Sequence, residues 1–229
     1  MTGVIRSLRD RVPIRPLTVI EGLGIAELQA AQLLQLSGIV KPPVPESVIA
    51  DLPKIQVERM TPAPMSGATQ WSHGRWLIAL NGAEPKVRQR FSLAHEFKHV
   101  LDNPFITVLY PSIQGQTARE RSEQVCDIFA ANLLMPRPWV KSLYCDEGVQ
   151  DLGRLAQRFN VSKMAMQVRL LQMGLVDPAP RCTRGLSPAQ HVVRSTPARR
   201  TAFEALLEAN PGFKSAWLKR QADAVRAAA

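Results

Sequence analysis

The chain has little of what marks secreted and membrane proteins. Its three cysteines are odd in number, widely spaced and form no C-x-x-C pair, which argues against a disulfide framework and favours a reducing compartment. No stretch approaches the roughly 18 uninterrupted apolar residues of a membrane span, and the charged N-terminal segment lacks the apolar core of a signal peptide. Internal repeats are absent too. These absences predict a soluble, cytoplasmic protein.

Length and charge limit the organisation. A chain of 229 residues with 45% apolar content can bury a sizeable core, which predicts one main domain with appendages. The net charge of +10 is unevenly divided: residues 1–149 carry 16 basic and 14 acidic side chains (+2), and residues 150–229 carry 13 and 5 (+8). A basic C-terminal region can bind phosphates, but solvated arginines on a tail explain the same charge.

One short segment carries most of the chemical information. Residues 90–101, RFSLAHEFKHVL, contain the spacing H-E-x-x-H as His95, Glu96 and His99. On an α-helix, residues four apart point the same way, so both imidazoles can bind one metal ion while the intervening glutamate faces the bound water. The alternative is a surface helix with merely solvated polar residues. An apolar stripe at helical spacing argues against it, since it would bury one side of the helix: Leu93, Phe97, Val100 and Leu101.

A catalytic zinc ion normally takes three protein ligands, so a third ligand is expected downstream. Residues 118–136 have the apolar periodicity of a second helix, with Glu123 and Asp127 four apart on its other side. We predict that Glu123 is the third ligand and that the Asp127 carboxylate accepts a ring N–H from one histidine. Glu120, one turn away, and Cys126, on the flank of the helix, are the competing ligands.

The two segments together resemble the ImmA/IrrE-type metallopeptidases. The resemblance rests on FSLAHEFKH followed by E-x-x-x-D-x-F-A-A-x-L-L-M-P and covers about residues 26–176. It implies an α+β fold of the gluzincin sort: a small, mostly helical zinc-metallopeptidase domain with a short β-sheet. It also implies a role for each residue of the site, with His95, His99 and Glu123 as metal ligands and Glu96 as the general base.

The chain departs from the usual pattern at two positions. Lys98 stands where glycine is frequent in H-E-x-x-H helices, and Cys126 stands where the family often has alanine. Neither side chain is expected to touch a proposed ligand, so both departures are predicted to affect packing only.

The residue types also suggest the cofactor and the chemistry. A His/His/Glu set suits Zn²⁺ best, with Mn²⁺ as the alternative. Glu96 would take a proton from the attacking water and deliver it to the leaving amine. The residue that stabilises the oxyanion stays open. Nearby arginines are candidates, beside three individual side chains: Tyr110, Tyr144 and His73.

Turn and periodicity signals divide the chain into four parts. We predict an N-terminal leader (1–24), a metallopeptidase domain (25–149), a helix-turn-helix-like segment (150–177) and a basic linker with C-terminal helices (178–229). Within the second part the sequence predicts a helix over Ile25–Leu36, a short helix over Glu46–Leu52, a strand near residues 55–60, and a hairpin turning near Ser72–Gly74.

Residues 151–175 have the pattern of a helix-turn-helix, with Ser162 as N-cap and Met166, Leu170 and Met173 facing inward. If Lys163, Gln167 and Arg169 project outward, the second helix could enter a DNA major groove. One alternative is a helical hairpin packed on the peptidase, and another is a surface that holds the protein substrate. Farther along we predict a linker over 178–198, a surface position for His191, and helices over Thr196–Ala209 and Gly212–Ala229.

Three functions compete at this stage. The resemblance implies a metal-dependent endopeptidase that cleaves a helix-turn-helix transcriptional repressor and so derepresses stress-response or mobile-element genes. The second hypothesis is a non-catalytic, antitoxin-like regulator that binds DNA or protein and retains a metal site. Glu96 argues for the enzyme, because a binding module needs no general base. A third hypothesis is a self-processing protease whose substrate is its own linker.

Overall fold

The computed structural model describes residues 3–61, 63–113 and 115–176. This part of the chain consists of helices and a small three-stranded sheet, which confirms the predicted α+β class. The predicted linker, His191 and the two C-terminal helices lie outside the described residues. The helices are α1 (Val4–Arg9), α2 (Val19–Leu36), α3 (Ser47–Ala50), α4 (Lys86–Asp102), α5 (Ile106–Leu109), α6 (Ala118–Leu134), α7 (Arg137–Lys141), α8 (Leu152–Phe159) and α9 (Lys163–Gln172), with a 3₁₀ turn at Asn103–Phe105 and a π-helical turn at Ser142–Asp146; the strands are β1 (Ile55–Met60), β2 (Gly67–Ser72) and β3 (Arg75–Asn81).

The predicted leader is part of the fold. Helix α1 buries Leu8 completely, and α2 begins at Val19 rather than at the predicted Ile25. The earlier start has a local cause, since Thr18 and Glu21 form a capping box: the Glu21 backbone N–H donates to Thr18 Oγ1 (3.2 Å), and the Thr18 N–H donates to the Glu21 carboxylate (2.8 Å). The predicted boundary at residue 24 therefore falls inside a helix.

The sheet has the strand order β1-β3-β2, with β1 parallel and β2 antiparallel to β3. The predicted hairpin is confirmed, because β2 and β3 are joined at His73 and Gly74, which adopt positive φ angles of 46° and 75°. Thr69 pairs with Ile78, and β2 forms one edge of the sheet. Because directly opposite residues share a face, Thr69 lies on the same face as Ile78, which belongs to the main core.

The core lies between the helices and this face of the sheet. Phe97 of α4 and Phe129 of α6 are fully buried, and their ring centroids are 6.1 Å apart. Complete burial of each phenyl ring contributes about 1.5–3 kcal/mol. This contact holds α4 and α6 side by side and so decides which polar residues of the two helices meet. None of the helices in the described ranges combines the length and the apolar character that crossing a membrane requires.

Candidate metal centre

Helix α4 presents the two histidines as the spacing predicted. Its apolar stripe faces the core, with Leu93, Phe97 and Val100 at most 1% exposed. His95 and His99, one turn apart on another side, direct their Nε2 atoms at one another across 3.1 Å. Two ring nitrogens this close call for a proton or a metal ion between them.

Helix α6 brings the predicted third ligand to this point. Glu123 places Oε2 3.1 Å from His95 Nε2 and Oε1 3.5 Å from His99 Nε2. Three donors around one zinc ion at bond lengths near 2.0–2.1 Å in tetrahedral geometry would lie about 3.3 Å apart. The 3.1 Å between the imidazole nitrogens and the 3.1 and 3.5 Å from these nitrogens to the two oxygens of Glu123 are close to that value, so the side chains fit a metal ion.

Asp127 lies where the sequence placed it, one turn beyond Glu123. Its Oδ1 is 2.8 Å from Nδ1 of His95, the ring nitrogen that faces away from the other donors. A carboxylate here accepts a hydrogen bond from Nδ1–H, which fixes the tautomer and leaves Nε2 free to bind a metal.

Glu96 turns from α4 toward the edge strand of the sheet. Its carboxylate is largely buried and accepts a hydrogen bond of 2.7 Å from the hydroxyl of Thr69. A Cβ atom on Gly67 would come within 2.9 Å of Glu96 Cγ, so β2 approaches this side chain closely only because residue 67 is glycine. Sequence reasoning missed Thr69 and Gly67, since no spacing links β2 to α4.

The ionisable side chains of the centre shift one another's pKa values. Burial lowers the pKa of His95, but hydrogen bonds to Asp127 and Glu123 and the charge of Glu96 outweigh it and raise the pKa to about 10. Burial would raise the pKa of Glu123, yet hydrogen bonds from His95 and His99 hold it well below its ordinary value. In the metal-free protein, therefore, a proton on His95 offsets the charge of the carboxylates.

The two competing ligands have other partners. Glu120 completes a capping box at the start of α6, where its carboxylate accepts hydrogen bonds from the Thr117 N–H and hydroxyl, both 2.8 Å. Cys126 is buried with Sγ 3.3 Å from Nδ1 of His99. The expectation that Cys126 touches no proposed ligand was therefore wrong. Donor atoms of His95, His99 and Cys126 also lie within 4.8 Å of one another, which makes the role of the sulfur a question of its own.

Two of the three oxyanion candidates have identified hydrogen-bond partners. Tyr110 is buried and its hydroxyl donates a 2.6 Å hydrogen bond to Asp102; burial and the charge of Asp102 raise the pKa of Tyr110. His73 sits in the hairpin turn, where Nδ1 is 2.8 Å from the Ser72 hydroxyl. Tyr144 is half-buried against the core. The oxyanion donor stays unassigned.

The helix-turn-helix pattern corresponds to α8 and α9, joined at Asn160 and capped at Ser162, whose hydroxyl accepts the Ala165 N–H. Met166 and Leu170 face inward as predicted. Arg169, predicted to project outward, is 2% exposed and binds the Met135 carbonyl (3.0 Å) and Asn132 Oδ1 (2.6 Å).

The outward face of α9 differs from that of a DNA-recognition helix. Lys163 and Gln167 are exposed, but the same exposed surface carries three apolar residues at helical spacing: Met164, Val168 and Leu171. Because an arginine buried in the protein cannot contact phosphate and the apolar residues attract none, the observed face favours the packed helical hairpin.

The sequence is similar to a known peptidase family and to two proteins of known name. Residues 53–171 match the IrrE N-terminal-like domain of peptidase family M78. The radiation response metalloprotease IrrE of Deinococcus radiodurans is 30% identical over 121 residues, which cover 51% of this chain and 36% of that protein. The protein of the same name from Deinococcus deserti is 34% identical over 91 residues, or 38% and 32% of the two chains.

A solved structure shares the fold. A Mycobacterium tuberculosis transcriptional regulator superposes with a TM-score of 0.52 at 15% sequence identity, covering 73% of this chain and 51% of that one. The matched regions span only about a third of the length of the two Deinococcus proteins.

Proposed function

The chain belongs to the IrrE N-terminal-like family of peptidase domains, and from this membership together with the geometry of the centre we propose that it is a metal-dependent endopeptidase. One observation carries the proposal: His95 Nε2 and His99 Nε2 lie 3.1 Å apart, and the Glu123 carboxylate faces both, with Oε2 3.1 Å from His95 Nε2 and Oε1 3.5 Å from His99 Nε2. These are the predicted ligands, and zinc is the metal that suits them best, with manganese as the alternative.

The remaining residues of the centre have separate tasks. A bound metal ion would supply Lewis-acid activation of water and of the scissile carbonyl. We assign to Glu96, which is adjacent to His95 and accepts a hydrogen bond from Thr69, the role of accepting the proton of the attacking water and returning it to the leaving amine. Asp127 keeps the His95 ring in the metal-binding tautomer.

We propose further that the substrate is a helix-turn-helix transcriptional repressor whose cleavage releases stress-response or mobile-element genes. The family resemblance supports this substrate class, and the name of the Deinococcus relatives links that metalloprotease to a radiation response. The apolar outward face of α9 gives the competing DNA-binding hypothesis no support.

The peptidase proposal is tested by metal content and cleavage in three variants. Metal should be near-stoichiometric in the wild type and in Glu96→Gln and should be lost in Glu123→Ala, while Glu120→Ala, a control on the same helix, should retain it. Glu96→Gln should abolish cleavage, because it removes the general base without removing a ligand. Metal retained in Glu123→Ala would show that the third ligand is another residue.

The substrate is sought without assuming its identity. A lysate is incubated with the wild type or with Glu96→Gln, and new protein N-termini are labelled and identified by mass spectrometry. The proposal expects an N-terminus within a helix-turn-helix repressor that appears only with the wild type. A metal-loaded wild type that generates no new N-termini would favour a non-catalytic regulator.

A further inference from the structure

Cys126 and Asp127 are consecutive residues of α6, and each contacts one of the two histidines. Sγ of Cys126 is 3.3 Å from Nδ1 of His99, and Oδ1 of Asp127 is 2.8 Å from Nδ1 of His95. In both rings the contact is made to the same nitrogen. The other nitrogens, the two Nε2 atoms, are thereby left facing each other at 3.1 Å.

Sulfur could serve the centre in two ways, as a metal ligand or as the partner of an imidazole ring. An imidazole that coordinates through Nε2 carries its proton on Nδ1, and a buried N–H requires an acceptor. His99 is 1% exposed and Cys126 is fully buried, so water has little access to this N–H. The sulfur contacts Nδ1 of His99, whereas an ion bound by both histidines would contact Nε2, the other nitrogen of that ring.

We propose that Cys126 is a positioning residue of the metal centre, whose sulfur accepts the Nδ1–H hydrogen bond of His99 and does not coordinate the ion. The inference rests on the proposed function for the presence of a metal and goes beyond it in assigning the cysteine. One turn of α6 then supplies a ligand, Glu123, and the partners of both histidine ligands. Cys126 thus has a function at the centre and is more than a detail of packing.

The test uses Co²⁺ as the probe, with the full-length chain in a Cys145→Ala/Cys182→Ala background. Cys145 is exposed and Cys182 lies outside the described residues, so Cys126 is the remaining thiol. Cys126→Ala should weaken Co²⁺ affinity by about tenfold, as is typical when the partner of a ligating histidine is removed. Cys126→Ser, whose hydroxyl can accept the same N–H, should recover most of the affinity. The absorption spectrum of the cobalt protein should show no thiolate-to-cobalt charge-transfer band.

Matched controls distinguish a loss of the positioning role of Cys126 from a loss of folding. Cys145→Ala alone should leave Co²⁺ affinity unchanged, and thermal unfolding of the metal-free variants shows whether Cys126→Ala folds. If Cys126→Ala does not fold, two measurements still test the proposal: the absorption spectrum of the cobalt-loaded background protein and the Co²⁺ affinity of Cys126→Ser.

Two results would overturn the positioning role alone. A charge-transfer band that disappears in Cys126→Ser would make Cys126 a ligand, and an unchanged affinity in folded Cys126→Ala would leave it without a role at the centre. A background protein that binds no Co²⁺ would overturn the proposed metal site together with this inference.

Discussion

Helix α4 carries two polar clusters, and only one of them is arranged to bind a ligand. The inner cluster consists of Lys98, Asp102, Gln29 and Tyr110. Lys98 Nζ donates to Asp102 (2.6 Å) and to Gln29 (2.8 Å), and the Tyr110 hydroxyl donates to Asp102 (2.6 Å). All four side chains are at most 3% exposed. Lys98 and Tyr110 each donate hydrogen bonds within the cluster, which is closed to solvent.

The metal-site cluster, formed by His95, His99 and Glu123, is built differently although His99 is the neighbour of Lys98. Its two Nε2 atoms and the Glu123 carboxylate face one another, and the side chains of Glu123 and of the neighbouring Asp127 remain 26% and 60% exposed. The comparison shows that polar residues on a helix do not make a site by themselves. A site arises where several atoms that can each donate an electron pair to a metal ion lie close together.

The largest effect on stability is expected for Lys98→Met, a substitution in the inner cluster. Removing one partner of a buried ion pair leaves an uncompensated charge on Asp102, which should lower the free energy of unfolding by about 3–5 kcal/mol. Metal affinity of the folded fraction should not change. Urea denaturation and metal titration measure the two quantities, with Lys86→Met, an exposed lysine of the same helix, as control. If Lys98→Met lost metal binding but not stability, the inner cluster would not differ in function from the metal-site cluster.

The pH dependence of metal binding should sharpen the comparison. The pKa of His95 is raised to about 10 by Asp127, Glu123 and Glu96, which outweigh the effect of burial, so metal must displace a proton at neutral pH. Affinity should therefore rise with pH, by about tenfold per unit, until the pH reaches the pKa of His95. Calorimetry in buffers of different ionisation enthalpy should show proton release on binding. Affinity independent of pH from 7 to about 9 would contradict the raised pKa.

A smaller effect is expected for Thr69→Val, which keeps the shape of the side chain and removes the hydroxyl that holds Glu96. We expect kcat to fall by about tenfold with metal content unchanged. Thr69→Ser, which keeps the hydroxyl, should restore most of the rate. An equal loss in both variants would point to packing of β2 rather than to positioning of the base.

The smallest effect is expected for Glu120→Ala, which removes half of the capping box of α6. It should lower Tm slightly and leave metal affinity unchanged, whereas Glu123→Ala, less than one turn away, should abolish metal binding. Differential scanning calorimetry and metal titration provide the two measurements. Weakened metal binding in Glu120→Ala would mean that the start of α6 contributes more to the centre than its cap.

Local patterns predicted the elements that carry the site. Four-residue spacing indicated the pair His95 and His99, and helical periodicity put Glu123 and Asp127 on one side of α6; the structure brings these side chains together. Prediction was poorer where a single residue decides a boundary. The Thr18 cap moves the start of α2 toward the N-terminus, which the apolar periodicity of the helix does not reveal.

The partners of buried polar groups were not predictable in the same way. Arg169 reads as a solvated residue on an amphipathic helix, yet it binds Met135 and Asn132 from another element. Lys98 reads as a departure from the usual pattern, yet it is fully buried and forms an ion pair. The long-range partners, Gln29 of Lys98 and Asn132 of Arg169, lie on other helices, so no local spacing predicts these contacts.

By itself, the sequence determined the three residues of the H-E-x-x-H helix, because they follow from short-range spacing. It determined the fold class and the family through the resemblance that its two helix motifs carry. The tertiary structure decided which residues meet them. Packing of Phe97 against Phe129 sets α6 beside α4, so that Glu123 reaches both imidazoles and Cys126 reaches His99. Close approach of β2 at Gly67 lets Thr69 hold Glu96. Such contacts depend on the distance between elements, which no local pattern encodes.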